Sequence, residues 1–474
     1  MPWLFPFAPA PSPAVLPWLF AMGCGAGLLM LRAPLQPRQI LLGWWLAAAV
    51  SAAMGLLQYA GAADGLSPWI VPAELGEAYG NLRQRNQFAT LCNMGLAALV
   101  YHVVLRRPQM GLLQGGAFTL VALLMAANAA SSSRTGLLQL ALTSGLLYHW
   151  GLLRQEMPRR MVVMAWLSYG LAAWLLPTLL GLSAMDHGIL HRLRDGGPPC
   201  DNRLTLWANV WHLIEARPWT GWGWGELDYA HFMTLYPGQR FCEILDNAHN
   251  LPLHLAVEHG LPIALLLCLG LLWWVWRRAP WREMEPGRQA AWAVLSIICV
   301  HSLLEYPLWY GPFQIAVVLC ISLLASPAPA ALPERRRAGM AVGRPAAALL
   351  TLAALTYAAW DYHRVRQIYL PAEQRAEPYR KNTLDQIRGS WLFRDQVLFA
   401  EYNLTPLTSL TAGPLHAMGL ELLHYSPEAA VVEKLIETAR MLGRDEEVTF
   451  YRVRYKAAYP KDYQQWVSRQ VLTN

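Results

Sequence analysis

Long apolar segments recur along most of the chain, and short arginine-bearing connectors separate them. A transmembrane helix needs about 20 consecutive, mostly apolar residues. Windows of that length predict ten spans. The ten spans cover approximately residues 14–31, 40–60, 87–105, 111–130, 137–153, 161–181, 251–276, 290–304, 308–326 and 345–360. The pattern therefore predicts an all-α, polytopic membrane protein.

The composition agrees with this prediction. Of the 474 residues, 55% are hydrophobic and only 15% are charged, against roughly 25% charged in soluble domains. The formal net charge of +7 could indicate a nucleic-acid partner, but the basic residues form small clusters at the ends of apolar segments. Such clusters are typical of membrane topology rather than of nucleic-acid binding, so no nucleic-acid partner is expected.

The arginines alternate between successive connectors. The connectors after odd-numbered spans hold Arg32, Arg38, Arg106, Arg107, Arg154, Arg159, Arg160, Arg277, Arg278, Arg282, Arg288, Arg335, Arg336, Arg337 and Arg344. The short connectors after even-numbered spans contain only Arg83, Arg85 and Arg134. Because positively charged connectors stay in the cytoplasm, both termini are predicted to be periplasmic. Residues 1–13 lack the basic start of a cleavable signal peptide, so the first span is expected to remain as an anchor.

Two segments are predicted to lie outside the membrane, on the periplasmic side. They are a large loop, about residues 182–250, and the tail, residues 361–474, which contains all four lysines. We therefore divide the chain into a transmembrane catalytic domain, residues 1–360, and a periplasmic helical domain. Within the tail, Ser426 to Pro460 resembles one helix-turn-helix unit of the tetratricopeptide kind, and a generic helical hairpin is the alternative.

Two of the seven cysteines, Cys200 and Cys242, fall in the large loop, whereas the other five fall in spans. Cysteines inside spans act as small apolar residues. The periplasm is oxidising and favours disulfides. The sequence therefore predicts a disulfide between Cys200 and Cys242.

Polar residues that could carry chemistry gather at the periplasmic ends of the predicted spans. Arginine binds phosphate oxygens bidentately and stays charged when partly desolvated, so Arg134 and Arg203 are the leading candidates to bind a diphosphate. Arg83 and Arg85 are further candidates. His249 lies at the entry to the seventh span, and histidine can act as a general base. The structural alternatives are snorkelling for Arg134, ion pairing for the other arginines and a structural role for His249.

No metal ion or organic cofactor is expected. His249, His254 and His259 recur at intervals of five, which on one helix separates their directions by about 140°. They therefore cannot converge on one ion as an i, i+4 pair does. The chain has no H-E-x-x-H, C-x-x-C or D-x-D pattern, and Gly221–Gly225 lies outside any βαβ unit.

Several motifs resemble one bacterial family. His249-Asn250, followed by nine residues and Gly260, matches the H-[NSQ]-x9-G-x-x-[GTY] pattern of O-antigen ligases and related O-oligosaccharyltransferases, although Ile263 departs from the last position. Residues 80–90 and 304–310, and the helical tail, resemble the branch that glycosylates proteins, the PglL-type O-oligosaccharyltransferases. The resemblance covers most of the chain.

This resemblance implies a metal-independent, inverting glycosyltransferase in the bacterial inner membrane. It would move a glycan from undecaprenyl diphosphate to a Ser or Thr hydroxyl of a periplasmic, pilin-like protein. It implies that His249 is the base and that arginines hold the diphosphate. The residues assigned to the acceptor or to site organisation are Glu305, Tyr306, Tyr310 and Asn250.

Three other functions stay open. An O-antigen ligase would transfer the glycan to lipid A core, and an O-antigen polymerase would join it to another lipid-linked glycan. A membrane transporter or flippase is the alternative of a different class. Transporters place polar or broken helices near the membrane midplane, whereas the notable polar motifs here lie at span ends.

Overall fold

The computed structural model describes residues 3, 15–30, 36–106, 111–183, 187–194, 200, 202–325 and 334–473. Arg32, Arg107 and most of residues 1–13 lie outside this part of the chain, as do the side chains of Arg335, Arg336 and Arg337. The described residues form α-helices joined by turns and short 3₁₀ segments, with no β-strand among them.

The helices are α1 (Val15–Leu29), α2 (Pro37–Tyr59), α3 (Arg85–Arg106), α4 (Gly111–Ala130), α5 (Arg134–His149), α6 (Glu156–Leu179), α7 (Gly188–Arg194), α8 (Arg203–Ala216), α9 (Leu227–Met233), α10 (Leu251–His259), α11 (Leu261–Arg278), α12 (Pro286–Ser302), α13 (Gly311–Ala325), α14 (Glu334–Arg366), α15 (Thr383–Ile387), α16 (Arg394–Leu404), α17 (Ala412–Leu422), α18 (Ala429–Met441), α19 (Asp445–Ala458) and α20 (Pro460–Thr473). They fall into two compact units. The first unit comprises residues 1–196 and 273–355, and the second comprises residues 197–272 and 356–474.

Helix α3 lies at the centre of the first unit. Every residue from Gln87 to His102 is buried, and α3 packs against α2, α4, α5 and α12. A helix that is apolar almost all round must be surrounded by other helices or by lipid. Here the neighbouring helices cover it, so its few polar side chains must find partners inside the bundle.

Several helices are apolar enough to lie in a membrane. Among the described residues, Pro37–Tyr59, Arg85–Arg106, Glu156–Leu179 and Leu261–Arg282 are long enough to cross one. Three shorter apolar helices are Val15–Leu29, Gly115–Ala130 and Gly311–Ala325. These helices agree with a membrane protein. The number of ten spans and their orientation stay predictions.

The predicted seventh span, residues 251–276, is not one helix. Helix α10 ends at His259, and α11 begins at Leu261 after Gly260, whose φ is +82°. The prediction was wrong here because apolar residues continue on both sides of Gly260 and hide a break in the backbone. Ile263 consequently lies in the first turn of α11.

In the second unit, helix α9 belongs to two apolar cores. Leu227 and Ala230 are buried with residues of α8 and α10. Phe232 is buried with residues of α16 to α20. One short helix of the large loop therefore packs against α8 and α10 as well as against the C-terminal tail.

Polar contacts strengthen the attachment of α9 to the tail. His424 Nδ1 lies 2.7 Å from Glu226 Oε2, and its ring stacks on Tyr229 with 3.8 Å between ring centroids. Arg454 Nε donates a hydrogen bond of 2.9 Å to the carbonyl oxygen of Met233. Contacts at both ends of α9 fix the helix on the tail.

A disulfide joins Cys200 and Cys242, which are 42 residues apart. The backbone N–H of Cys242 also donates to the carbonyl oxygen of Cys200 over 3.2 Å. A cross-link of this length stabilises a fold by restricting its unfolded chain, typically by about 2–4 kcal/mol. It ties the start of α8 to the segment that leads into His249.

The tail contains a helical hairpin made of α18 and α19. Gly443 lies in the turn with φ +71°, a conformation that favours glycine. Pro460 does not simply end the hairpin, because it is the first residue of α20. Proline suits the first position of a helix, where its missing N–H leaves no hydrogen bond unmade.

A pH-dependent stability is expected from Asp228 in α9. Burial raises the pKa of Asp228 from 3.8 to about 7, and Asp246 and Glu226 add negative charge nearby. The folded state therefore binds more protons than the unfolded state between about pH 4 and pH 7, so stability falls as pH rises through that window. Asp228→Asn should raise the melting temperature at pH 8 by about 2–4 °C, the effect of roughly 1 kcal/mol in a unit of this size.

At pH 5 the gain from Asp228→Asn should be smaller. The exposed Glu373 supplies the matched control, because Glu373→Gln should change the melting temperature little at either pH. Differential scanning fluorimetry of the purified protein measures both variants. A gain for Asp228→Asn that is equal at pH 5 and pH 8 would contradict the assignment.

Candidate active site

His249 occupies an unusual backbone turn in the second unit. Its φ is +49°, a left-handed conformation that non-glycine residues rarely adopt. The side chain of Asn247 supports the turn, because Asn247 Oδ1 accepts a 2.9 Å hydrogen bond from the backbone N–H of His249. His249 is only partly buried. The turn therefore presents the His249 side chain at the start of α10 from a fixed backbone.

The residues after His249 form a capped helix. Asn250 is the N-cap of α10, and its Oδ1 accepts a 3.1 Å hydrogen bond from the backbone N–H of Leu253. Gly260 ends the helix with φ +82° and ψ 163°. The motif H-N-x9-G therefore consists of a turn residue, an N-cap, one nine-residue helix and a glycine C-cap.

The segment Pro218–Gly225 locks onto the end of α10 through its backbone. Trp222 N donates to Val257 O over 2.9 Å, Gly223 N to Glu258 O over 3.0 Å, and Leu261 N to Pro218 O over 2.8 Å. A Cβ atom at Gly260 would lie 2.3 Å from the carbonyl oxygen of Trp219. Gly221 and Gly260 therefore allow the two backbone segments to pack closely.

Two buried side chains connect this segment to the His249 turn. Glu258 Oε1 accepts a 2.9 Å hydrogen bond from Gly225 N and lies 3.4 Å from His254 Nε2. The other ring nitrogen of His254 lies 3.5 Å from Ala248 N. Burial lowers the pKa of His254 to about 4, so its imidazole is neutral at neutral pH; burial also raises the pKa of Glu258.

Arg203 lies on the face of α8 that meets the His249 turn. Arg203 is the first residue of α8, after Asn202, whose Oδ1 accepts a 2.8 Å hydrogen bond from Thr205 N. Trp207, four residues later, shares that face and donates from Nε1 to the carbonyl oxygen of Ala248 over 3.1 Å. Within the second unit, the structure thus brings Arg203 and His249 to neighbouring elements.

Glu305 lies in a separate polar network, in the first unit. Glu305 is 7% exposed, and its Oε1 accepts a 3.2 Å hydrogen bond from Asn86 Nδ2. Ser133 Oγ donates to Asn86 Oδ1 over 2.6 Å. Ser133 also caps α5 by accepting from Gly136 N over 3.0 Å. Glu305 is therefore connected through Asn86 to the N-terminus of α5.

The same network continues into the bundle through residues that the sequence did not single out as site candidates. Thr90 Oγ1 lies 2.9 Å from His301 Nδ1 and accepts a 2.9 Å hydrogen bond from Gln139 Nε2. Asn86, Thr90 and Asn93 recur at helical spacing on one face of α3. That spacing within an apolar span was the available signal, because buried polar groups need partners on neighbouring helices.

Arg134 is exposed at the first position of α5, directly after the Ser133 cap. A second arginine, Arg192 of α7, donates from Nη1 to the carbonyl oxygen of Ser132 over 3.2 Å. Arg192 was not predicted from the sequence, since α7 is short and lies within the large loop. Two guanidinium groups therefore approach the N-terminus of α5.

The other candidates are placed as follows. Arg85 forms an ion pair with Glu77, and Arg83 adopts a left-handed backbone with φ 58°. Tyr306 and Tyr310 stack with 6.0 Å between their ring centroids. The ion pair reduces the charge that Arg85 offers to an anion. The stacked tyrosines form an aromatic surface after Glu305.

The fold and these residues define an all-helical membrane protein with a capped histidine turn and arginines at helix N-termini. Three family models match the chain: protein glycosylation ligase over residues 78–101, O-antigen ligase over residues 118–268, and virulence factor membrane-bound polymerase, C-terminal, over residues 289–472. The second match contains Arg134, Arg203 and His249. The third contains Glu305 and the tail.

Two curated relatives from Acinetobacter baylyi support the same identification. A general O-oligosaccharyltransferase is 25% identical over 266 residues, which is 53% of this chain and 44% of the relative. A ComP-specific O-oligosaccharyltransferase is 27% identical over 248 residues, 51% of this chain and 43% of the relative. The aligned region thus spans less than half the length of either relative. No solved structure matches the chain significantly. The resemblance to PglL-type O-oligosaccharyltransferases and O-antigen ligases is confirmed.

Gly260→Ala tests the backbone packing beside the candidate base. The φ and ψ of Gly260 lie in a region that is essentially restricted to glycine, where another residue costs about 1–3 kcal/mol. The close approach of Trp219 adds a steric clash. We expect the variant to lower the melting temperature by at least several degrees. The control is Gly270→Ala in α11, where a Cβ meets no atom within 4 Å; an equal effect of both substitutions would contradict this account.

Proposed function

We propose that this protein transfers an oligosaccharide from undecaprenyl diphosphate to a Ser or Thr hydroxyl of a periplasmic protein, at the outer face of the bacterial inner membrane. Residues 1–360 would contain the catalytic machinery, and residues 361–474 would form a periplasmic helical domain. Both termini would be periplasmic. The names of the relatives support an oligosaccharyltransferase with a protein acceptor.

One observation carries the proposal of a diphosphate substrate. Arg134 and Arg203 occupy the same helical position, the first residue after an N-cap, in α5 and α8. The N-terminus of a helix carries partial positive charge, so a cation there is electrostatically unfavourable and an anion is favourable. The helix dipole therefore does not favour arginine at either position. Binding of an anion at either helix N-terminus would relieve the repulsion there.

The proposed chemical step needs one base and one anion-binding group. His249 takes the proton from the acceptor hydroxyl while the hydroxyl oxygen attacks the anomeric carbon of the glycan. The bond from that carbon to the diphosphate oxygen breaks, and undecaprenyl diphosphate leaves with the electron pair. Attack opposite the leaving group inverts the anomeric centre. The arginines stabilise the charge that develops on the leaving diphosphate.

The network around Glu305 is proposed to organise the acceptor side. Glu305 is buried, and its link through Asn86 to the Ser133 cap holds it in place. The stacked Tyr306 and Tyr310 offer apolar faces with hydroxyl groups at their edges, which suits a peptide or a sugar. Asn250 is proposed to hold the position of the base by capping the helix that begins after His249.

Two of the matched family models are named for related activities, which are the second candidates for the function of this protein. The O-antigen ligase match favours transfer to lipid A core, and the polymerase match favours transfer to another lipid-linked glycan. The products separate the three activities: a glycosylated protein, a glycosylated lipid A core, or a ladder of longer lipid-linked glycans formed without protein. A proteoliposome assay containing each acceptor in turn distinguishes them.

His249→Ala is the first test of the mechanism. Loss of a general base reduces a rate by about 10²–10⁴-fold, so transfer to a pilin-like protein in metal-free proteoliposomes should fall by that factor. The matched control is His149→Ala, because His149 is an exposed histidine at the far end of α5. Unchanged transfer by folded His249→Ala would remove His249 from the mechanism.

Arg134 gives a second test, in which activity and stability should move in opposite directions. Arg134→Ala should lower kcat/KM for the lipid-linked donor by about 10²-fold through loss of charge-assisted hydrogen bonds. The same change should raise the free energy of unfolding by about 0.3–1 kcal/mol, because it removes a cation from a helix N-terminus. Arg134→Lys should recover part of the activity, since it keeps the charge but lacks the planar fork.

Arg159→Ala provides the control for Arg134, because Arg159 is an exposed arginine near the start of α6 in the same unit. Its activity should match that of the wild type. A loss of stability in Arg134→Ala, with activity falling only in proportion to the folded protein, would assign Arg134 a structural role. Transfer kinetics and thermal unfolding measured on the same preparations give both readouts.

A further inference from the structure

Helix α11 presents an exposed apolar surface. Leu265, Leu266, Leu269 and Leu272 are between 55% and 71% exposed. Among residues 261–278, all of which the structure describes, only Ala264 is buried. Its 18 residues extend about 27 Å at 1.5 Å per residue, close to the thickness of the hydrocarbon core of a bilayer. Acyl chains are therefore the expected surroundings of α11.

The segment Pro218–Gly225 is attached to the first turn of this helix. Leu261, the first residue of α11, donates its backbone N–H to Pro218 O over 2.8 Å. The backbone of Trp219 packs against Gly260 at a distance that leaves no room for a Cβ atom. The segment therefore lies at the level where α11 would leave the hydrocarbon.

The tryptophans of this segment point in two directions. Trp222 is turned inward, where Nε1 donates to Leu213 O over 2.9 Å. Trp219 and Trp224 are 76% and 79% exposed. Indole rings are costly to leave in water and are favoured at the membrane interface, where the ring is covered and the N–H reaches polar groups. The exposed Arg217, over the Trp222 ring at 4.1 Å, adds a cation that suits anionic headgroups.

We propose that residues 217–225 are a membrane-interface anchor, with Trp219 and Trp224 inserted at the headgroup level of the lipid bilayer. The anchor sets the depth of α10, because its backbone bonds join the end of that helix. Helix α10 has nine residues and is about 14 Å long. It thereby limits how far His249 can lie from the lipid surface. This consequence for the lipid-linked donor rests on the proposed function.

The depth of residue 224 can be measured without any turnover. A spin label is attached to Trp224→Cys in the full chain, reconstituted in nanodiscs. The background variant lacks the five free cysteines and keeps the Cys200–Cys242 disulfide. Leu204→Cys and Leu266→Cys are matched controls, because these residues are 76% and 71% exposed. The ratio of oxygen to nickel-chelate accessibility at 224 should exceed the ratio at 204 at least threefold and approach that at 266. A ratio equal to that at 204 overturns the anchor.

The contribution to function is measured with the double variant Trp219→Ala/Trp224→Ala. Transfer from proteoliposomes should fall about tenfold and to the same extent for two donors with unrelated glycans, because the anchor recognises lipid. A loss that depends on the glycan would identify the tryptophans as a sugar-binding surface and would overturn the proposal. A label at interface depth in a protein without transferase activity would contradict the proposed function and leave the anchor intact.

Discussion

The close contact between two backbone segments determines the arrangement of the second unit. Residues 218–223 approach the end of α10 so closely that a side chain at Gly260 has no space. Three backbone hydrogen bonds fill this contact. A turn, a short helix and the start of an apolar helix therefore behave as one rigid piece. The left-handed backbone of His249 costs free energy. The structure maintains it because the contacts at both ends of α10 hold its surroundings in place.

The charges at two helix N-termini indicate residues that are placed by function rather than by stability. Stability alone would place acidic residues at the N-termini of α5 and α8, yet arginine occupies the first position of both helices. Proteins accept such local conflicts mainly where function requires them. The buried His254 and Glu258 have a different role: their contacts with each other and with Gly225 hold the segment beside α10 in place.

The sequence predicted the helices well wherever hydropathy and length were sufficient, as in α2, α3 and α6. It failed at Gly260, because hydropathy measures composition and is insensitive to one left-handed residue. It also failed to single out Thr90 and His301, since a polar residue among apolar neighbours gives no sign in the sequence of which distant residue it contacts. The pairing of Arg192 with Ser132 requires two distant segments to meet, which no local pattern encodes. Motif resemblance supplied the candidate chemistry that periodicity did not.

Helix α9 has a consequence for how this chain can be varied. Its apolar residues are divided between the core of the large loop and the core of the tail, so neither core is complete without it. The tail is therefore not a cassette that can be exchanged alone. A functional chimera between relatives would have to take residues 226–233 and the tail from the same parent. Recombination within the family is constrained in the same way, and the loop and the tail should be inherited together.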